Sequence, residues 1–193
     1  MKLEGRLVVL EPLAPEHEGP LREAAGDARI WQFGYADFST NFDPWWREAR
    51  ATQKAGVSIP FATVERATGR VVGSSRFATL RAEHRGAEIG WTWVIPELWG
   101  SGVNIEAKLL MLEHGFERLG FARIEFKTEA TNERSRAALA ALPAHFEGVF
   151  RHHLWVRDGE WRDSAYYSVL EEEWPEVRAN LERRLAAKSS VAR

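Results

Sequence analysis

The run from Glu88 to Lys108, EIGWTWVIPELWGSGVNIEAK, constrains what this chain can fold into more tightly than any other part of it. Ile89, Trp91, Thr92, Trp93 and Val94 are β-favouring residues that suit a well-buried strand over Glu88 to Ile95, and Pro96 stops it. Gly100 and Gly102 then flank Ser101, and an amphipathic run opens at Val103. A glycine turn between a strand and a helix lets several backbone N–H groups point into one small space, at the positive end of the helix dipole. Such a turn is an anion cradle suited to phosphate. An isolated G-x-G pattern is also an ordinary turn; the strand before it and the helix after it favour the cradle.

Composition sets the outer bounds. With 193 residues, 45% hydrophobic and 28% charged, the chain is long enough for one domain with a sizeable core. No apolar run approaches the ~20 residues of a membrane span, and Met1-Lys2-Leu3-Glu4 leads straight into a strand-like alternation. No signal peptide and a cytoplasmic location are therefore expected. A net charge of −2 gives no electrostatic reason to expect nucleic-acid binding. The absence of cysteine removes disulfides, thiolate nucleophiles and Cys-ligated zinc. The six histidines have no metal-ligand spacing, so no metal is expected. His152 is expected on a strand face with Phe150 and Leu154 as a core or edge histidine, and His153 on the opposite face.

The rest of the chain reads as alternating strands and helices. Leu7 and Val9 mark a first strand ended by Pro12, and Pro15 to Ala25 a helix. Trp31 to Phe42 is an aromatic loop, and Asp43-Pro44 opens a helix to about Lys54 with Asp43 as N-cap. Ile59 to Glu65 and Arg70 to Thr79 form a hairpin, and the helix from Val103 runs to about Leu119 with Ile105, Leu109, Leu112, Phe116 and Leu119 on one side. Ala122 to Thr128 is a strand, Asn132 caps a short helix to about Leu142, and Phe146 to Val156 joins Trp161 to Leu170 through Asp158-Gly159. Pro175 begins a terminal helix with Val177, Leu181 and Leu185 on one side. The expected fold is a single mixed α/β domain over 1–193, its core about 3–174 and its last helix about 175–188. Its sheet should be mostly antiparallel, with a central parallel strand pair. The terminal apolar stripe either packs on its own domain or makes a homodimer.

Several segments, in order, carry a family resemblance: Glu88-Ile89-Gly90-Trp91, Trp99-Gly100-Ser101-Gly102-Val103-Asn104 with Glu106-Ala107, Asn132-Glu133-Arg134-Ser135, Phe146-Glu147-Gly148-Val149 and Tyr167-Ser168. Over about Leu3 to Trp174 the chain resembles the GNAT superfamily of acyl-CoA-dependent N-acetyltransferases, in particular its RimJ/RimL-type branch. The resemblance implies acetyl-CoA as cosubstrate, with pyrophosphate on Trp99, Gly100, Ser101, Gly102, Val103 and Asn104. Pantetheine would lie between two splayed parallel strands, hydrogen-bonded by Asn132, and the thioester oxygen would meet backbone N–H near Trp93 or Val94. The chain departs from the family pattern at Glu97, Leu139 and Pro143.

Acetyl transfer to an amine requires an unprotonated nucleophile, a stabilised oxyanion and a proton for the thiolate. Glu88 is the first candidate for general base, or else a strand carboxylate paired with an Arg; Asp163 is the second. The resemblance implies Ser135 as the donor to the sulfur. Gln32, Phe33, Tyr35 and Phe38 offer an acceptor-side wall facing the hairpin tip around Trp155 to Trp161, with Tyr167 in the same set. The expected acceptor is a primary amine, of a protein N-terminus or a small molecule, acetylated in a direct ternary complex. The alternative is a non-catalytic acyl-CoA-binding or sensing domain.

Overall fold

A computed structural model describes residues 1–156 and 159–191, with side chains through Lys188. Eight strands form a single sheet: β1 (Leu3–Glu4), β2 (Val8–Pro12), β3 (Ile59–Glu65), β4 (Val71–Arg81), β5 (Gly86–Val94), β6 (Arg123–Glu129), β7 (His145–Val156) and β8 (Glu160–Leu170). Their order is β1-β2-β3-β4-β5-β6-β8-β7, and every neighbouring pair is antiparallel except β5 with β6. Among the described residues five α-helices accompany them: α1 (Glu18–Ala24), α2 (Asp43–Lys54), α3 (Val103–Glu117), α4 (Glu133–Ala141) and α5 (Trp174–Val191). Among the described residues no helix is long and apolar enough to cross a membrane.

Two apolar layers cover the sheet. On one face Phe61, Phe77, Ile89, Val94, Ile124 and Phe126 pack against Ala107, Met111, Leu112 and Phe116 of α3 and Val177 and Leu181 of α5. On the other, Ala62 and Trp93 pack against Trp45 and Ala49 of α2 with Leu21, Trp31, Phe38 and Phe42. Adjacent residues such as Phe61 and Ala62 serve opposite layers because strand side chains alternate.

The parallel pair positions the site. β5 and β6 hold register only over Gly86–Arg123, Ala87–Ile124 and Glu88–Glu125, after which they part. β5 also carries a bulge against β4, where Ser74 faces Trp93 but Arg76 faces Gly90. Trp91 sits in it at φ +53, a left-handed conformation that a bulky residue rarely adopts. The extra residue resets the alternation. Ile89 faces α3, Trp91 turns to the α2 side to lie against Tyr35 and Arg76, and Thr92 returns to the α3 side beneath Lys108.

Several expectations need correcting. The first strand is split in two: Leu7 falls between β1 and β2, and Val8 and Leu10 are the fully buried residues of β2. The cause is Glu106, whose buried carboxylate accepts from the backbone N–H of Arg6, Leu7 and Val8 at 2.6–2.9 Å and bends the chain between β1 and β2. Asp43 is the first residue of α2 rather than its cap; its carboxylate pairs with Arg22 at 2.7 Å. Leu119 lies beyond the end of α3 and is 39% exposed. A bulge between Phe150 and Leu154 puts His152 at φ +49, exposed and stacked on Trp161, while His153 turns towards Ser164 and Tyr166. Val177, Leu181 and Leu185 are all buried within their own domain, so the apolar stripe offers no surface for a dimer. Asp158, expected in the last hairpin turn, lies outside the described residues.

Candidate active site

Where β5 and β6 part, a cleft of about 460 Å³ opens through the sheet. Its walls are Gly90 to Val94 on one strand and Phe126 to Thr128 on the other, and it runs from the turn before α3 to the aromatic loop around Tyr35. At the first end Gly100 has φ +78 and Gly102 φ +103, and Gly102 is the N-cap of α3. That conformation is strained for any residue with a Cβ, and it presents the N-terminus of a 15-residue helix to the cleft. Trp99 holds the turn to the strand, its indole Nε1 donating to the Val94 carbonyl at 2.9 Å. The Arg134 guanidinium stacks 3.7 Å above its ring. Asn132 caps α4, its Oδ1 accepting from the Ser135 N–H at 3.0 Å.

Charge along the cleft has one sign. Lys108, Lys127, Arg134, Arg162, Arg184 and Lys188 line it, with no Asp or Glu among the described lining residues. A concave surface whose lining charges are basic, joined to a helix N-terminus, is matched to a polyanion. Arg184 and Lys188 come from α5, whose last turns pass over Gly102. Glu97, a departure that would oppose a diphosphate, is not part of the lining.

The other end is made of buried charges and rings. Glu88 is 4% exposed, and its Oε2 accepts from Lys127 Nζ at 2.9 Å. Burial opposes the charge on Lys127, but Glu88 and Tyr35 outweigh it and raise the ammonium above its ordinary value. Tyr35 lies 5.1 Å from Trp91 and beneath the Arg162 guanidinium at 4.6 Å, and burial pushes its phenol up. Arg162 Nε is 3.1 Å from Glu129 Oε2, an ion pair too bent to count as a hydrogen bond. Arg76, 1% exposed, is held between the Trp45 and Trp91 rings and pairs with Glu48 at 2.6 Å; burial lowers its affinity for its proton.

Of the residues singled out from sequence, Trp93, Val94, Trp99, Gly100, Gly102, Asn104, Asn132, Ser135, Phe33 and Tyr35 line this one cleft. Ser101 and Val103 belong to the turn without lining it; Ser101 Oγ donates to the Leu98 carbonyl. Glu88 sits behind the lining, bound to Lys127. Trp155 is 62% exposed and meets the Trp161 ring edge to face, away from the cleft. Tyr167 is buried against Phe146, its hydroxyl accepting from Arg136 Nε at 3.2 Å. Asp163 accepts from the His152 N–H at 2.7 Å and closes the β7 bulge. Sequence reasoning missed Lys108, Lys127, Arg162, Arg184 and Lys188. For Lys108 a signal existed: it stands one helical turn from both Asn104 and Leu112, so a charge lies on the stripe facing the sheet.

Known proteins share the fold. Residues 7–145 match the family model described as an acetyltransferase (GNAT) domain. YdaF of Bacillus subtilis, provisionally named a ribosomal N-acetyltransferase, is 33% identical over 106 residues, 55% of this chain and 57% of that protein. The matched stretch thus spans under two thirds of that relative. A GCN5-related N-acetyltransferase from Brucella melitensis superposes with a TM-score of 0.86 at 29% identity, covering 96% of this chain and 85% of that one. Mycobacterium smegmatis RimJ, solved in complex with CoA-disulfide, gives 0.76 at 26% identity over 94% and 89%. With the family match covering most of its length, the parted strand pair and the glycine turn place the chain plainly: it belongs to the GNAT acetyltransferase family.

Proposed function

We propose that the protein transfers the acetyl group of acetyl-CoA to a primary amine in a direct ternary complex, with α-amines preferred over lysine side chains. The observation that supports this most is the cationic cleft where β5 and β6 part, joined to the glycine turn. On this reading the turn and the α3 N-terminus hold the pyrophosphate, Arg134, Arg184 and Lys188 add charge, and Asn132 orients pantetheine. The thioester lies along Trp93 and Val94, and Ser135 donates a hydrogen bond to the sulfur. The acceptor enters past Phe33 and Tyr35. Without cysteine, an acetyl-enzyme would need another nucleophile, which favours direct attack.

The acceptor preference follows from pKa arithmetic. A peptide α-amine titrates near ~7.7–8.0 and a lysine near ~10.4, so at neutral pH about a tenth of the first is neutral and under a thousandth of the second. Glu88, the carboxylate of β5, is already engaged by Lys127, which suits an acceptor that needs little help in losing its proton. The provisional name of YdaF, a ribosomal N-acetyltransferase, supports a protein as the acceptor.

The test is thiol release from acetyl-CoA across a panel of amines, with initial rates at varied concentrations of both substrates. Intersecting lines and faster turnover of α-amines are expected. Parallel lines would sink the direct mechanism, and acetylation of internal lysines with none at N-termini would overturn the acceptor preference. Tight cofactor binding with no release above background would favour a sensing domain instead.

A further inference from the structure

α3 carries Lys108 to the point where the cleft passes through the sheet. The residue is 7% exposed, and what remains accessible opens into the cleft. Its Nζ lies 2.6 Å from Thr92 Oγ1 and 3.4 Å from Ser75 Oγ, and the two hydroxyl oxygens are 2.7 Å apart. The Phe126 ring lies 5.9 Å away on the opposite strand. Thr92 itself is exposed to the cleft. Among the described residues no carboxylate lies within ion-pair distance of Nζ, in contrast to Lys127 with Glu88 and Arg162 with Glu129. The groups packed on Lys108 are Ser75 from β4, Thr92 from β5 and Phe126 from β6. The charge acting on it is Glu88, already bound to Lys127; Glu106 of its own helix is turned onto the backbone of residues 6–8. Burial without a counter-ion pulls the Lys108 ammonium down to about 7.

We propose that Lys108 is the proton-transfer group of the cleft, exchanging protons with the reacting atoms through the Thr92 hydroxyl. The proposal rests on the acetyltransferase reading above. Lys108 begins as the neutral amine. The acceptor lone pair forms the C–N bond to the thioester carbon, and the nitrogen, now positively charged, gives a proton to Thr92 Oγ1 as Thr92 passes its own to Nζ. The C–S bond then breaks with its electron pair on sulfur. The Nζ ammonium returns the proton by the same hydroxyl to the thiolate, leaving CoA as the thiol and Lys108 neutral. A thiol titrates near ~8.5, so an ammonium near 7 gives its proton to a thiolate downhill. A group poised at the working pH serves as acceptor and donor in turn.

The experiment compares wild type with Lys108→Met and Lys108→Arg, using acetyl-CoA and a peptide with a free N-terminus, and also follows the Lys108 Nζ resonance by NMR in the free wild-type protein. The resonance, assigned by its absence in Lys108→Met, is expected to titrate near 7. Both variants should bind CoA within about twofold of wild type. Both should lose about 100-fold or more in kcat, together with the limb of the pH profile near 7. A lysine with a merely structural role would leave the limb of the pH profile in place in the folded variants. Titration near the ordinary ~10.4 overturns the proposal whether or not the variants fold. A folded Lys108→Met with wild-type kcat and pH profile removes this proposal alone. A wild type that binds CoA and acetylates no amine removes the acetyltransferase reading and this role with it.

Discussion

At the Gly100–Asn104 end the cleft is made by backbone: two glycines at positive φ, a helix N-terminus, and a chain bent around the Glu106 carboxylate. At the Tyr35–Arg162 end it is made by side chains from distant strands: Glu88 with Lys127, Arg162 with Glu129, Arg76 with Glu48 between two tryptophans. A backbone cradle needs only residues that permit its conformation and can bind the same phosphates in many sequences. A cluster of buried charges holds its shape only while every partner is present. Recognition of the cosubstrate should therefore tolerate changes at the far end, whereas stability and acceptor choice should not.

The largest expected effect lies where the cradle is fastened. Glu106→Ala strands three backbone N–H groups, each costing roughly 1–3 kcal/mol when left unpaired, so a loss of at least about 3 kcal/mol is expected in a denaturant titration. Gly5 belongs to the same device, since a Cβ there would run into the Glu106 carboxylate. A Glu106→Ala protein as stable as wild type would mean that water replaces the carboxylate and that the cradle is not fastened there. Next comes Glu48→Ala at the acceptor end. It leaves Arg76 buried without a counter-charge and should cost roughly 2–3 kcal/mol, the lower part of the range for a broken buried pair because Glu48 is 39% exposed. Acetyl-CoA affinity in that variant should stay within about twofold. A tenfold loss would break the separation between the two ends.

Lys108 gives an effect with a definite pH dependence. Its folded pKa, about 7, lies below the ordinary value of 10.5, so between these the unfolded chain binds more protons and stability rises with pH. The penalty is fully present below about 7 and is gone once pH passes the unfolded value. Lys108→Met should therefore melt higher than wild type at pH 7, by about 2–4 °C for each kcal/mol recovered, and the gap should close towards pH 10. A gap that widens with pH would contradict this sign. The smallest effect belongs to Trp155→Ala, which is expected to change stability by no more than about 0.5 kcal/mol and to leave turnover unaltered, because that side chain is exposed and outside the cleft.

The same contrast explains what could be read from the sequence. Gly100-Ser101-Gly102 after a β-rich run announced the turn, and Asn132 announced a cap, because local geometry demands those residue types. The parallel pair followed from a strand, a helix and a strand in succession. What stayed hidden depends on bulges and on partners far apart in sequence. Trp91 at φ +53 shifts the alternation by one residue, so Thr92 and Trp93 take faces that a plain period-two count assigns wrongly beyond Ile89. His152 was misplaced by the same kind of bulge. Glu88 was visible as a strand carboxylate, but nothing local says that Lys127, 39 residues away, would occupy it. Trp155 looked like a wall residue because aromatic side chains signal burial in composition, and here it stands on the outer hairpin.

The central claim is that the glycine turn and the parted strands hold the acyl-CoA. Calorimetric titration of acetyl-CoA into wild type and Gly102→Val, with ADP as the comparison ligand, tests it most directly. Valine at φ +103 is strained and brings its Cβ 3.2 Å from Leu7 Cδ1, so the melting transition of the variant is recorded alongside. The account predicts one saturable acetyl-CoA site in wild type, weaker ADP binding, and a loss of roughly 1–3 kcal/mol in acetyl-CoA affinity in folded Gly102→Val, the scale of one or two charge-assisted hydrogen bonds. Unchanged affinity in a folded variant, or ADP binding as tightly as acetyl-CoA, would contradict it.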